Sequence, residues 1–195
     1  MSKVAYNIRF AGQVFDGQAG LHQNGRRDFD PAIGRYVEVD PIGLFGGSIS
    51  PYVYAADDSL IYIDPLGLCW VYSQSTGRLS RVAADGTVTV VATGYSGNGN
   101  GLNNPAMQDT PNVGPIPQGG YTIQHQQDNT TAHGVLPGSM RLTPNHDNPT
   151  TRAGFLIHGP HANDRQDSSN GCPIFSRAVR DQIANSGDTC LQVTQ

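Results

Sequence analysis

The stretch IHGPHANDRQDSSNGCPIF, from Ile157 to Phe175, places a histidine and a cysteine in one short run. His158 ends the apolar run GFLIHG, so a strand would aim its ring. Cys172 follows a glycine and precedes a helical pattern. Backbone N–H groups and the positive end of that helix are expected to lower the thiol pKa there. The chemistry on offer is nucleophilic: a thiolate attacks, and the histidine serves as its base. Backbone N–H groups at the same turn supply the means to hold an oxyanion. Spacing alone leaves the alternative open, an ordinary buried thiol beside a histidine satisfied by backbone.

Around this pair, three segments read as strands by alternation of apolar and polar residues: CWVYSQ, GRLSRVA and GTVTVVATG, with STG and ADG as turns between them. GGYTIQH, SMRLTP and GFLIHG are further strand candidates. One helix is expected, with Ser176 as N-cap, Val179 and Ile183 on one face and Gly187 as the stop. The Gly/Asn/Pro-rich stretch from Gly94 to Gly120 is a long loop of a kind that is usually functional or mobile. Residues 69–195 therefore read as a self-contained, mainly β domain. Residues 1–68 differ: short apolar runs are cut by turns such as DPAIGRY, DPIGLFGG and DPLGLC. Alone they would bury little surface, and we expect a poorly packed or extended segment.

Bulk properties narrow the function. The 195 residues include 37% hydrophobic residues, and the 24 glycines bring the apolar share to about 49%, a globular composition. Net charge is -4 and the basic residues form no stripe, so nucleic acid is not an expected partner. Lys3 is the only lysine, which removes lysine chemistry from almost the whole chain. MSKVAYNIRF has no signal-peptide core, and no segment could span a bilayer; export, if any, would use a route that reads no N-terminal signal. His22, His125, His133, His146 and His161 lack acidic or cysteine companions at ligand spacing, so no metal and no cofactor is expected.

The order GPIPQGGYTI, then FLIHG, then SNGC resembles the L,D-transpeptidase (YkuD-like) family across most of residues 70–195. TGYSG, NNP and NVGPIP bring the likeness nearest to small transpeptidase effectors delivered by type VI secretion. The resemblance implies an L,D-transpeptidase-like β-sandwich with one principal helix after the cysteine. It makes Cys172 the nucleophile, His158 the base and the Gly159 carbonyl the group that orients the imidazole. The N–H groups of Gly171 and Cys172 would hold the oxyanion, in a turn completed by Ser169 and Asn170. Asn170 stands where the motif has histidine, and CPIF replaces a run with arginine; Arg177 is the candidate replacement and Tyr95 a second candidate substrate contact.

Residues 1–68, with DPIGL and DPLGL, resemble the C-terminal end of the rearrangement hotspot (Rhs) core, a β-cocoon that frees its toxin after the second such motif. That likeness implies a cut between Leu68 and Cys69 by a carboxylate pair, Asp40 and Asp64. In this short form we expect the bond to stay intact.

Taken together, the resemblances imply a wall-modifying antibacterial effector. It would be made in the cytoplasm and secreted, and it would act in the target's periplasm on peptidoglycan stem peptides. Its partners would be type VI delivery components and a cognate immunity protein, with no membrane insertion. The rival readings are a cysteine amidase or endopeptidase of the NlpC/P60 type, in which the cysteine precedes the histidine, and a non-enzymatic Rhs-derived binding module. Cys69 and Cys190 lie on the first and last strand candidates of the domain, and domain termini often lie close together. An oxidising periplasm would allow a bond. Synthesis in a reducing cytosol and the commonness of free buried cysteines favour unpaired thiols, so the expectation is no bridge.

Overall fold

A computed structural model describes residues 7–9, 13–24, 27–39, 50, 52, 54, 69–82, 88–132, 134–146, 148–161 and 169–195. Asp40, Asp64 and Leu68 lie outside the described residues, as does His133.

The N-terminal stretch holds more order than its broken sequence suggests. β1 (Val14–Asp16), β2 (Leu21–Asn24), β3 (Arg27–Asp30) and β4 (Arg35–Tyr36) form an antiparallel meander in sequence order. Aromatic packing compensates for its small size. Phe29 and Tyr54 lie 4.6 Å apart between ring centroids, Tyr36 and Tyr54 5.4 Å, and the Arg27 guanidinium sits 3.6 Å from the Tyr36 ring centre.

The larger sheet contains β5 (Trp70–Ser73), β6 (Arg78–Val82), β7 (Val88–Thr93), β8 (Gly119–Ile123), β9 (Gln127–Thr131), β10 (Gly134–Pro144), β11 (Leu156–Ile157) and β12 (Cys190–Thr194). Its order is β11-β10-β8-β12-β5-β6-β7, with β9 paired to β10 alone. The protein is thus mainly β, with one α-helix among the described residues, α1 (Arg177–Asn185).

β12 explains the closure. It inserts between β8, antiparallel, and β5, parallel, pairing Leu191 with both Trp70 and Tyr121. A strand with neighbours on both sides is buried along its length, and Leu191, Gln192 and Val193 are all buried. In β5 only alternate residues point inward, Trp70 and Tyr72, both fully buried. They meet Leu79, Ile116, Tyr121, Met140, Ile157 and Ile183 in one core.

The parallel register of β5 and β12 has a covalent consequence. Each strand is led in by a cysteine, and Cys69 and Cys190 form a disulfide with Cα atoms 4.7 Å apart. The expectation of free thiols is corrected: pairing Trp70 with Leu191 sets the preceding residues side by side.

The helix forms where expected. Ser176 Oγ accepts from the Val179 N–H at its start, Ile183 is buried, and Val179 packs on the core. Trp70 Nε1 donates to Ser186 Oγ at 3.2 Å, tying the end of the helix to the first strand of the sheet. Two features were not expected. β9 is polar throughout, and β10 starts well before SMRLTP and carries a bulge between Leu136 and Ser139, at Pro137-Gly138.

Candidate active site

His158 leaves β11 and enters a ladder with the residues after the cysteine. Its N–H donates to the Pro173 carbonyl at 3.2 Å, and its carbonyl accepts from the Phe175 N–H at 2.9 Å. Ile174 is bridged on its two sides, to His158 in parallel and to Tyr95 in antiparallel fashion. His158 and the residues just after Cys172 are therefore joined backbone to backbone.

The imidazole is 4% exposed, and its Nδ1 lies 2.8 Å from the Gly159 carbonyl oxygen. A carbonyl can only accept, so Nδ1 carries the proton and Nε2 is the free base. The orienting role expected of Gly159 is geometrically in place. Burial pulls the His158 pKa below its ordinary value, the bond to Gly159 opposes this, and His161 and Arg180 reinforce the lowering.

Cys172 is half-buried, and its Sγ accepts from the Leu156 N–H at 3.3 Å. Here the expected pKa direction is corrected. Burial pushes the thiol up; the Leu156 N–H and the Arg152 charge pull it down by less. The helix that was to lower it starts at Arg177, behind an extended segment, and Ser176 caps its first turn. Both shifts favour the uncharged form of their group, thiol and imidazole.

Ser169 is fully buried and braces the turn. Its Oγ donates to the Cys172 carbonyl at 2.6 Å and accepts from the N–H groups of Gly97 at 2.8 Å and Gly171 at 3.1 Å. The Gly171 N–H, expected as an oxyanion donor, is thereby engaged inside the turn. Among the described residues the Cys172 N–H has no hydrogen-bond partner. Gly171 has φ +116, and a Cβ there would fall 2.4 Å from the Arg152 guanidinium, so only glycine fits. Asn170 is exposed at the turn, its Oδ1 3.5 Å from Asn98 Nδ2.

The long loop proves to be ordered and serves as a buttress. Ser96 Oγ donates to the Gly171 carbonyl and accepts from the Ile116 N–H, both at 2.8 Å. Asn98 Nδ2 donates to the carbonyls of Ser169 and Asn112. Tyr95 is brought to the site by backbone, its carbonyl accepting from the Ile174 N–H at 2.8 Å. Arg177 is exposed and donates to Asp181 at 2.7 Å, so its charge is already engaged.

Two arginines were missed by sequence reasoning. Arg152 donates to the carbonyls of Gln108, Gly114, Pro115 and Asn170, joining the loop to the nucleophile turn. Arg180, on α1, is buried and donates to the carbonyls of Phe175, Pro137 and Gly138. Both bind backbone carbonyls, which leave no side-chain pattern in a sequence. Among the described residues no group of three His, Cys, Asp or Glu could hold a metal.

The family model of the Tlde1 domain matches residues 90–189, which carry the whole constellation. The chain belongs to the Tlde1 domain family. This is a family of type VI secretion effectors. The chain is also 31% identical over 158 residues to double-stranded DNA deaminase toxin A of Burkholderia cenocepacia, an alignment covering 77% of this chain and 10% of that protein. It is 45% identical over 64 residues to toxin protein Tse5 of Pseudomonas aeruginosa, covering 33% of this chain and 5% of Tse5. Similarity to the probable deoxyribonuclease RhsA of Dickeya dadantii is 46% over 61 residues, covering 31% of this chain and 4% of RhsA. The chain thus spans a tenth or less of the length of these relatives. Among solved structures, an Enterococcus faecium L,D-transpeptidase is similar with TM-score 0.44 and 14% identity, over 65% of this chain and 49% of that one. A Mycobacterium tuberculosis L,D-transpeptidase gives TM-score 0.40 and 18% identity, over 66% and 57%.

Proposed function

We propose that this Tlde1-family chain is a cysteine acyltransferase acting on peptidoglycan tetrapeptide stems, an L,D-transpeptidase or L,D-carboxypeptidase. The observation that carries the reading is a backbone-fixed arrangement: His158 Nδ1 is held by Gly159, and the residues just after Cys172, Pro173 to Phe175, lie on the ladder that His158 anchors. His158 Nε2 takes the Sγ proton as sulfur attacks the carbonyl of the third stem residue, meso-diaminopimelate. The Cys172 N–H faces the developing oxyanion. His158 then returns the proton to the departing amine of D-alanine, leaving a thioester. Water or an amine, deprotonated by the same imidazole, attacks that thioester and restores the thiol. Water gives tripeptide, a free D-amino acid gives exchange, and a second stem gives a cross-link.

Delivered into a neighbour's periplasm, such an enzyme would remove useful donor stems from the wall. The producer would need an immunity protein. Export through type VI components fits the family.

A nucleobase deaminase is the second reading that a relative's name suggests. Zinc deaminases use a Cys-x-x-Cys pair and a His-x-Glu. This sequence has neither spacing, and Glu38 is its only glutamate. The cysteine reading is favoured.

The test is mass spectrometry of muropeptides after incubating disaccharide-tetrapeptide with the purified protein. Tripeptide or exchanged tetrapeptide is expected, and both should vanish in Cys172→Ala. Unchanged product from a folded Cys172→Ala protein refutes the reading.

A further inference from the structure

A cleft of about 430 Å³ opens beside the catalytic histidine. Val135, Leu136 and Pro137 give it an apolar wall; Gly159, His161 and Arg180 line it as well. We infer that Arg180 in this cleft binds a carboxylate of the substrate. The inference deepens the proposed function and rests on it.

Arg180 is 6% exposed, and among the described residues no carboxylate is in ion-pair contact with it; Asp181, bonded to Arg177, acts on it only at longer range. Its Nε donates to the Phe175 carbonyl at 3.2 Å and its Nη1 to the carbonyls of Pro137 and Gly138. The β10 bulge frees those last two carbonyls from the sheet ladder. Three bonds to backbone fix the plane of the guanidinium and, among the described residues, leave Nη2 as its unengaged end. That end lies against Gly159, where a Cβ would fall 2.9 Å from it. Arg180 therefore rests on the residue whose carbonyl orients His158.

A buried cation with no carboxylate in contact is costly, and a fixed fork of N–H donors matches a carboxylate. Arg177 also lines the cleft, but Asp181 offsets its charge, so Arg180 supplies the free donors. The apolar wall suits the short aliphatic body of the residue that bears the anion. A tetrapeptide stem offers two such groups near the attacked carbonyl: the terminal D-alanine carboxylate and the side-chain carboxylate of the diaminopimelate.

Binding to Cys172→Ala protein, which cannot turn over, separates them. Calorimetry would compare the intact stem, a stem amidated at the terminal carboxylate and one amidated at the side chain. One amidation should weaken binding about tenfold or more, as for a charged hydrogen bond lost at a buried site. The same amidation should have no effect once Arg180→Gln is added. Arg180 also braces β10, so the Gln variant is used only if its melting curve is cooperative. The comparison with Arg180 intact decides independently: no penalty for either amidation overturns the inference. A penalty that survives Arg180→Gln, or failure of the intact stem to bind, overturns it too. Turnover by the unmodified protein reports on the function separately. Product without an amidation penalty sinks the subsite alone, whereas absence of product sinks the reading beneath it.

Discussion

Arg152 donates to the carbonyl of Asn170 at 3.2 Å, so a cation from before β11 holds the turn that presents Cys172. The same guanidinium grips Pro115 at 2.8 Å and reaches Gln108 and Gly114, which ties the turn to the ordered loop. Its charge also acts on the thiol, opposing the effect of burial. Motif arithmetic points to Arg177 as the replacement for a missing arginine; the geometry gives the turn to Arg152.

Arg152→Gln should therefore do two separable things. Carbonyls lose donors and the turn loosens, with kcat/KM falling tenfold or more. The thiol loses a nearby cation, so its pKa rises further. The pH dependence of iodoacetamide labelling reads the second effect. A labelling profile identical to that of the unmodified protein would show that Arg152 acts on the fold alone.

Shifts that favour neutral imidazole and neutral thiol predict a broad pH profile. His158 is a base once deprotonated, at a pKa lowered from 6.5, and Cys172 stays protonated up to a pKa raised from 9.0. Activity should rise through an acid limb below pH 6.5 and stay flat past neutrality. No thiolate absorbance should be seen at pH 7. A resting thiolate–imidazolium pair would instead absorb at pH 7 and be alkylated rapidly in mild acid. His158→Ala should lower turnover by about 10²–10⁴, the usual worth of a positioned base.

Ser169→Ala removes one hydroxyl and strands three groups, the N–H groups of Gly97 and Gly171 and the carbonyl of Cys172. At a fully buried position this should cost about 1–3 kcal/mol. Denaturant midpoints at constant m would measure the loss, and turnover should fall with it. A variant as stable and active as the parent would mean that the loop, not Ser169, sets the turn.

How much was legible follows from which forces leave a pattern in sequence. The strands with alternating apolar residues and the single capped helix were readable, because burial of one face imposes a period. So was the strand end that carries His158, a local feature of an apolar run. β9, QDNTT, was not: its strand character comes from pairing with β10 across a short connection, a tertiary effect with no apolar signature. Burial of the Cys172 sulfur misled in the same way, because distance along the chain to a helix says nothing about desolvation. Arg152 and Arg180 look like any surface arginines until the carbonyls they bind are in place.

The Cys69–Cys190 bond leads to the last prediction. It joins the residue before β5 to the first residue of β12, which are neighbours in space and 121 residues apart in sequence. Closing a loop of that length stabilises by about 4–5 kcal/mol in the chain-entropy model, with measured effects usually smaller. Cys172 is the one free cysteine, so thiol counting under denaturing, non-reducing conditions should give one. Cys190→Ser, or reduction by a phosphine, should lower the melting temperature by several degrees, since each kcal/mol shifts it by about 2–8 °C in domains of this size. The active site should survive where the fold does, because neither cysteine touches His158 or the Ser169 turn. Turnover per folded molecule should therefore change less than twofold at low temperature. Three free thiols in freshly oxidised protein, or an unchanged melting temperature on reduction, would remove the bridge from any account of stability.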